Sequence, residues 1–393
     1  MQPEPASLPS PQPMALRIAT FNIEDVRTDD LSRADHPRLK RLAHVIQTLR
    51  PTVLLLNELA YDQPGAPGFR EENEPGRNAE RFVERYLRVP QAEGLEPLGY
   101  RTFMAPSNTG IPSGFDLDND GEIVKLFPLP PAATADGTPG EQTDAGRAYG
   151  NDCWGFGTFP GQYGMALLID ERCEILTDRI RTFRLLPWDY MPGAAIPTNP
   201  DGSPWFTPEE LKLMRLSSKS HWDVPIRLPN GSILHLLCSH PTPPAFDGPE
   251  KRNARRNYDE IRFWADYVEG AGWIVDDNGN VGPLPRGELF VILGDLNADA
   301  EEGTAYRNPM KELLLSSRRL NPGAPPEADQ PVQGLDATDT ATWGKRVDYV
   351  LPSQGITTVR SGVWRTIPDD LPRFPSDHFP VWADLIVPPP PQR

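Results

Sequence analysis

Several apolar stretches of this sequence each end in a side chain that can do chemistry. LFVILGDLNADA (289–300) is apolar from Leu289 to Leu293, then presents Asp295 and Asn297 on either side of Leu296. IATFN is apolar until Asn22, VLLLNE until Asn57 and Glu58, and LHLLCSH until Ser239 and His240. RVDYVL carries Asp348, and PSDHFPVWADL puts Asp377 and His378 just before a last apolar run. In an extended segment residues two apart point the same way, so Asp295 and Asn297 can face one site while Leu296 faces the core. Polar groups at the ends of buried strands must be satisfied by one another, by water or by an ion. These endings could therefore converge on one rim of a layered fold.

The residue types suit one chemistry. Glu58 is a hard oxygen donor for Mg²⁺ or Mn²⁺. Asp295 can hold a water and take its proton, or approach a metal. Asn22 and Asn297 are neutral amides able to donate to phosphate oxygens or orient a nucleophile. His240 and His378 can donate to a phosphate whose charge grows in the transition state, and Asp348 can fix a histidine tautomer. No serine or cysteine stands in a nucleophile-elbow context, and no close-spaced His or Cys set points to zinc. The expected reaction is attack of metal- or base-activated water on phosphorus. Each residue alone has an ordinary reading: Asp-x-Asn closes many strands as a turn or helix cap, and His240 in SHPTPP could simply bond within a proline-rich loop. The ordered set at successive strand ends makes that reading a chain of coincidences.

The elements that would position these residues follow from periodicity. MALRIATFN reads as a strand over 14–22. In HPRLKRLAHVIQTLR (36–50), Leu39, Leu42, Ile46 and Leu49 share a helical face that Pro51 terminates, and TVLLLNEL follows as a buried strand. Residues 61–160 are loop-rich apart from a helix near 77–88. Strands are predicted at GQYGMALLID, near RIRTFRLL, at WDVPIRL and at SILHLLCSH. A charged helix over 250–269, the strand at 288–294, a helix near 307–318 and strands RVDYVLPS, TTVRSGVW and FPVWADLIV complete the chain. Several connections are too short for parallel crossovers, so mixed or antiparallel sheets are expected. No Walker or dinucleotide glycine loop is present.

Composition bounds the partners. The chain has 393 residues and a formal net charge of −16, which disfavours broad binding to nucleic acid. No apolar run is long enough for a transmembrane helix. The 47 prolines, spread without a period, predict stiffened surface loops. Residues 1–13 and 389–393 read as tails around one domain over 14–388, with the loop-rich insertion about 61–160 inside it. Cys238 reads as a core residue, and Cys153 and Cys173 as either a pair or two free thiols. DLDNDGE places Asp116, Asp118 and Asp120 at calcium-loop spacing, but Phe127 occupies the twelfth position where a bidentate acid belongs, so a loose Ca²⁺ loop and an acidic Asx turn both remain open.

As an ordered set, TFN, LLLNE, GQYGMALL, SHPTPP, GDLNAD, RVDYVLPS and SDHFPV resemble the endonuclease/exonuclease/phosphatase superfamily with its deoxyribonuclease-I-like fold, over residues 15–387. The resemblance implies an α/β (α+β) four-layer sandwich, two mixed β-sheets packed face to face with helices outside. It implies divalent-metal hydrolysis of phosphate esters; the acidic charge then puts a phosphodiesterase or phosphatase ahead of a nuclease, and the complete set of acids and histidines puts an enzyme ahead of an inactive binding module. Carried over by position, Glu58 is the main metal ligand with Asn22 and Asp377 beside it. Asp295 is the activating carboxylate, Asn297 orients water or phosphate, and His378 is a catalytic histidine supported by Asp348. His240 stands where the abasic-site endonuclease branch typically has tyrosine, which makes that branch less apt, and Asn57 replaces the glutamine common before the metal glutamate. The run SHPTPPAFDGPEKRNARRNYDEIRFW is similar to bacterial, often exported members, so a monomer outside the cytoplasm is expected, with Arg252, Arg255 or Arg256 reaching a substrate phosphate.

Overall fold

In the computed structural model the described residues are 12–303, 305–367 and 373–391. The predicted opening is present. Strand β1 (Met14–Val26) leads through the short helix α1 (Thr28–Leu31) to α2 (Pro37–Leu49) and β2 (Val53–Leu59). Helix α2 starts where sequence logic puts it, with Pro37 in its first turn and the His36 side chain accepting from the Leu39 amide. It ends at Arg50 in the left-handed region, before Pro51. The long connection that follows holds α3 (Asn78–Phe82), which continues as one π-turn over Val83–Leu87, then β3 (Tyr100–Phe103) and α4 (Asp144–Asn151).

The remaining strands are β4 (Met165–Asp170), β5 (Glu174–Ile175), β6 (Arg181–Thr182), β7 (His221–Arg227), β8 (Ile233–Ser239), β9 (Leu289–Asp295), β10 (Glu327–Ala328), β11 (Asp348–Pro352), β12 (Thr357–Val363) and β13 (Val381–Val387). Helices α5 (Pro208–Leu213) and α6 (Arg252–Glu269) lie among them. Two expected elements shrink. The strand near RIRTFRLL is only Arg181–Thr182, and the helix near 307–318 is a π-turn over Met310–Leu314.

Both sheets are mixed. One has the order β10-β12-β13-β1-β2-β4-β3, the other β11-β9-β8-β7-β5 with β6 also on β7. Parallel pairs are β1 with β2, β8 with β9 and β10 with β12. One apolar core contains Ile18, Leu54, Leu236 and Val291 from both sheets, together with Leu39, Leu42 and Ile46 of α2. A second core holds the opposite face of β9, Phe290 and Ile292, against Ile261, Phe263 and Trp264 of α6. The layers are thus helix, sheet, sheet and helix, and alternation along β9 assigns its residues to the two cores in turn.

The tail expected over 1–13 falls mainly on residues outside the described set, as do residues 392 and 393 of the C-terminal one. Gln12 is described, and its carbonyl accepts from Asn230 at 3.2 Å. Cys153, Cys173 and Cys238 are buried free thiols, so the Cys153–Cys173 pairing is not formed.

Candidate active site

The polar strand ends do meet, and they come from both sheets at one rim. Asn22 lies in β1 and Glu58 in β2, while Asp295 ends β9, Asp348 starts β11, and His240 follows β8. His378 precedes β13. Asp295 is the centre. Its Oδ2 lies 3.1 Å from Asn22 Nδ2, 3.3 Å from His240 Nε2 and 3.6 Å from His378 Nε2. Its Oδ1 accepts from the Asn297 amide at 2.9 Å. The Asn22 amide also donates to Glu58 Oε1 at 3.1 Å, which joins the two halves of the site.

Local backbone explains this delivery. Gly294 has φ 146°, and a Cβ there would lie 2.0 Å from the Ser239 carbonyl oxygen. Only glycine lets β8 and β9 run this close with His240 and Asp295 at their ends. Asn297 faces the site because it turns left-handed (φ 53°), not because the strand continues as expected from its sequence. Leu296 is fully buried between the two polar residues, as alternation predicted. Glu24, Asp25, Glu58 and Tyr163 also hold positive φ values of 53°, 44°, 68° and 57°. Non-glycine residues in this region cost about 1–3 kcal/mol each, and such strain gathers where the surrounding structure enforces it, typically at functional sites. In β1 the strain takes the form of a bulge: pairing with β2 breaks between Asn22 and Val26, so the strand runs longer than its 14–22 pattern.

Burial and charge separate the roles available. His378 Nδ1 bonds Asp348 Oδ2 at 2.8 Å. Burial opposes charge on this ring, but Asp348 and Asp295 outweigh it and raise His378 well above the usual histidine range. Burial pushes Asp348 up to about 6 against the pull of His378, so near neutral pH the pair is imidazolium and carboxylate. For Asp295, His378 and the His240 bond overcome burial and hold the carboxyl below the ordinary range. Burial, with Lys219 nearby, lowers His240 to about 4 and keeps it neutral. Its Nδ1 is buried without a hydrogen-bond partner.

Glu58 is different. Burial first, then the Asp377 charge, raise it to about 7. The same two causes raise Glu24. The Asp377 charge thus acts on both Glu58 and Glu24, a concentration of negative charge that suits a cation. Glu58 and Asp377, with Glu24 adjacent, are hard donors of the kind that hold Mg²⁺ or Mn²⁺ while leaving positions for water and substrate. Oxygen or nitrogen atoms of Asp295, Asp348 and His378 also lie within 4.8 Å of one another. That set also makes the hydrogen bonds described above, so it could serve a cation or proton handling. The residues present therefore include acidic groups that fit a divalent cation.

The sequence reading missed Lys219 and the acid pair after Asn22. Lys219 is buried, its Nζ 3.4 Å from the Pro241 carbonyl oxygen, and its charge acts on His240. Burial lowers its ammonium more than Glu260, Glu58 and Asp295 raise it. Lysine at a strand entry, as in LSSKSHW, is ordinarily solvated, so only packing reveals this one. NIEDV did show Glu24 and Asp25 two and three residues after Asn22. The Asp25 amide donates to Glu58 Oε2 at 3.0 Å, and Asp25 Oδ1 is buried without a partner.

Of the three arginines expected to reach a substrate phosphate, Arg256 is turned away from it. Arg256 is buried and donates to the carbonyls of Trp154, Arg215, Leu216 and Ser217, which occupies its guanidinium. Arg252 donates to the Leu117 carbonyl at 2.7 Å, and Arg255 lies over the Tyr306 ring at 4.9 Å. Arg256 thus serves loop and helix packing. Asp116, Asp118 and Asp120 do converge within 4.8 Å. The Asp116 carboxylate accepts from the amides of Asp120 and Gly121, an Asx-type closure that the loop makes with its own backbone.

Comparison with known proteins adds the family. Residues 19–378 match the Endonuclease/Exonuclease/phosphatase family. The chain belongs to that family. Its members are generally metal-dependent phosphoester hydrolases. No curated protein matches the sequence. Among solved structures, an endonuclease/exonuclease/phosphatase from Beutenbergia cavernae DSM 12333 is similar at 18% identity and TM-score 0.49, covering 95% of this chain and 72% of that one. The human Nocturnin catalytic domain is similar at 14% identity and TM-score 0.46, covering 94% of each chain. Truncated Caenorhabditis elegans TDP2 is similar at 14% identity and TM-score 0.43, covering 95% of this chain and 98% of that one.

Proposed function

We propose that this chain is a divalent-metal-dependent phosphodiesterase or phosphatase that uses activated water. The observation that carries the reading is the arrangement around Asp295 Oδ2, with Asn22, His240 and His378 all within 3.6 Å and the Glu58 carboxylate bonded to the same asparagine. Glu58 and Asp377, with Asn22 nearby, would hold Mg²⁺ or Mn²⁺. When bound, the cation supplies Lewis-acid charge to a phosphoryl oxygen.

The chain's own residues do the rest. Asp295 is ionised across the working pH range, so it is always available to accept a hydrogen bond from the attacking water and to draw its proton as the bond to phosphorus forms. Asn297 shares that carboxylate and limits how it can turn. His378, charged and fixed at Nδ1 by Asp348, directs Nε2 into the site. There it donates to a non-bridging oxygen as negative charge develops. His240 holds the same carboxylate through Nε2, and the charge of buried Lys219 acts on His240. The closely held polar groups exclude bulk water, which strengthens each interaction.

The net charge of −16 works against polyanion binding, so small or neutral-bodied phosphate esters are preferred over long nucleic acid. The test is turnover of a phosphodiester, a phosphomonoester and duplex and single-stranded DNA, each with EDTA, Mg²⁺, Mn²⁺ or Ca²⁺. Metal-dependent release from a diester or monoester supports the reading. Hydrolysis of DNA alone would move it to a nuclease, and no turnover of any substrate would reject an enzyme of this kind.

A further inference from the structure

Helix α6 reaches the site through buried polar side chains. Asn257 is fully buried, and its one amide group donates to two carbonyls, Thr242 at 2.8 Å and Leu296 at 3.0 Å. Thr242 lies two residues after His240, and Leu296 is the residue between Asp295 and Asn297. One turn further along, Glu260 is also buried. It accepts from the Thr242 amide at 2.6 Å and from the Ser218 amide and hydroxyl at 2.7 and 2.9 Å. Ser218 immediately precedes Lys219. Residues three apart on a helix share a face, so Asn257 and Glu260 reach the three loops from one side.

We propose that Asn257 and Glu260 form a clamp that sets the spacing of the His240, Asp295 and Lys219 loops, making both of them positioning residues for the reaction. The inference rests on the proposed phosphoester hydrolysis for its kinetic consequence, but not for its structural one. The β8–β9 ladder fixes the strands only as far as Cys238 and Leu293. Past that point Asn297 Nδ2 reaches the Pro241 carbonyl at 3.1 Å, and Asn257 ties both loops to α6. Neighbouring Asp259, equally buried, accepts instead from Trp188 Nε1 and the Ala195 amide, so the same helix supplies an internal control that holds a different loop.

The test combines kinetics with NMR of the full-length protein. Asn257→Ala should lower kcat by about 10- to 100-fold with KM changed much less, the range expected when reacting groups are misplaced by about 1 Å. The imidazole ¹⁵N signals of His240 and the backbone amide of Asn297 should shift, while the indole N–H of Trp188, held by Asp259 outside the clamp, should not. Glu260→Gln keeps shape and one acceptor, so it serves if the alanine variant is too unstable. It should shift the His240 signals and leave Asn297 in place. Asp259→Asn should lower thermal stability without either effect. Unmoved His240 and Asn297 signals in Asn257→Ala would overturn the clamp. Shifted signals with full turnover would uphold the clamp and reject the catalytic roles of His240 and Asp295.

Discussion

Glu58→Gln separates a metal-site carboxylate from a structural one by the sign of a stability change. In the metal-free protein, burial and Asp377 raise Glu58 from 4.5 to about 7. A carboxyl whose pKa is raised on folding stabilises the fold below its unfolded value, and that contribution is lost as pH rises through the folded value. At 1.36 kcal/mol per unit the full loss is about 3 kcal/mol. The side chain keeps partial solvent contact, so about 2 kcal/mol is expected above pH 7. Glutamine removes this penalty but sets its amide against the Asp25 N–H, which now donates to Glu58 Oε2, at a cost of about 1 kcal/mol. The variant should therefore be less stable than the parent by about 1 kcal/mol near pH 4.5, and more stable by about the same amount at pH 8. Urea unfolding in EDTA at the two pH values measures both. Adding Mg²⁺ or Mn²⁺ at pH 8 should stabilise the parent and not the variant, while the variant loses most turnover. A variant that turns over normally, or that is destabilised equally at both pH values, would refute the assignment of Glu58 to a cation.

Three further outcomes are expected. Asp295→Asn should reduce kcat by about 10²-fold or more with little change in KM, whereas Leu296→Ala, at a fully buried position, should mainly cost about 2–5 kcal/mol of stability; steady-state kinetics and unfolding of both variants check the contrast, and its reversal would move the active site elsewhere. His221 is lowered by burial to about 4, so the unfolded chain takes up its proton first; stability is full above about 6.5 and falls by about 3 kcal/mol towards pH 4, and His221→Gln should flatten that limb of a stability–pH curve, an unchanged slope counting against it. If the Asp116, Asp118 and Asp120 loop takes Ca²⁺, the ion should raise the melting temperature of the parent and not of Asp118→Ala, with metal-dependent turnover kept in both; equal shifts would leave the loop as an Asx turn.

The sequence by itself determined the strand ends. An apolar run that stops at Asn22, Glu58, His240 or Asp295 states both that the run is buried and that its end must find polar partners, because buried polar atoms left unpaired are costly. It also marked α2, through its apolar face and the flanking prolines, and the alternation that buries Leu296. Tertiary structure decided the rest, because the deciding distances join residues far apart in the chain. Asn22 and Asp295 bond across the two sheets, which no local pattern encodes. The fate of the arginines was also tertiary: Arg252, Arg255 and Arg256 look alike on a helix, yet packing of the Trp154 and Leu216 segments turned Arg256 inward onto carbonyls. Lys219 became part of the site for the same reason, since a lysine's charge is legible in sequence but its removal from water is not. The left-handed turns at Glu58 and Asn297 complete the list, because the surrounding contacts that enforce such strain exist only after the sheets have packed.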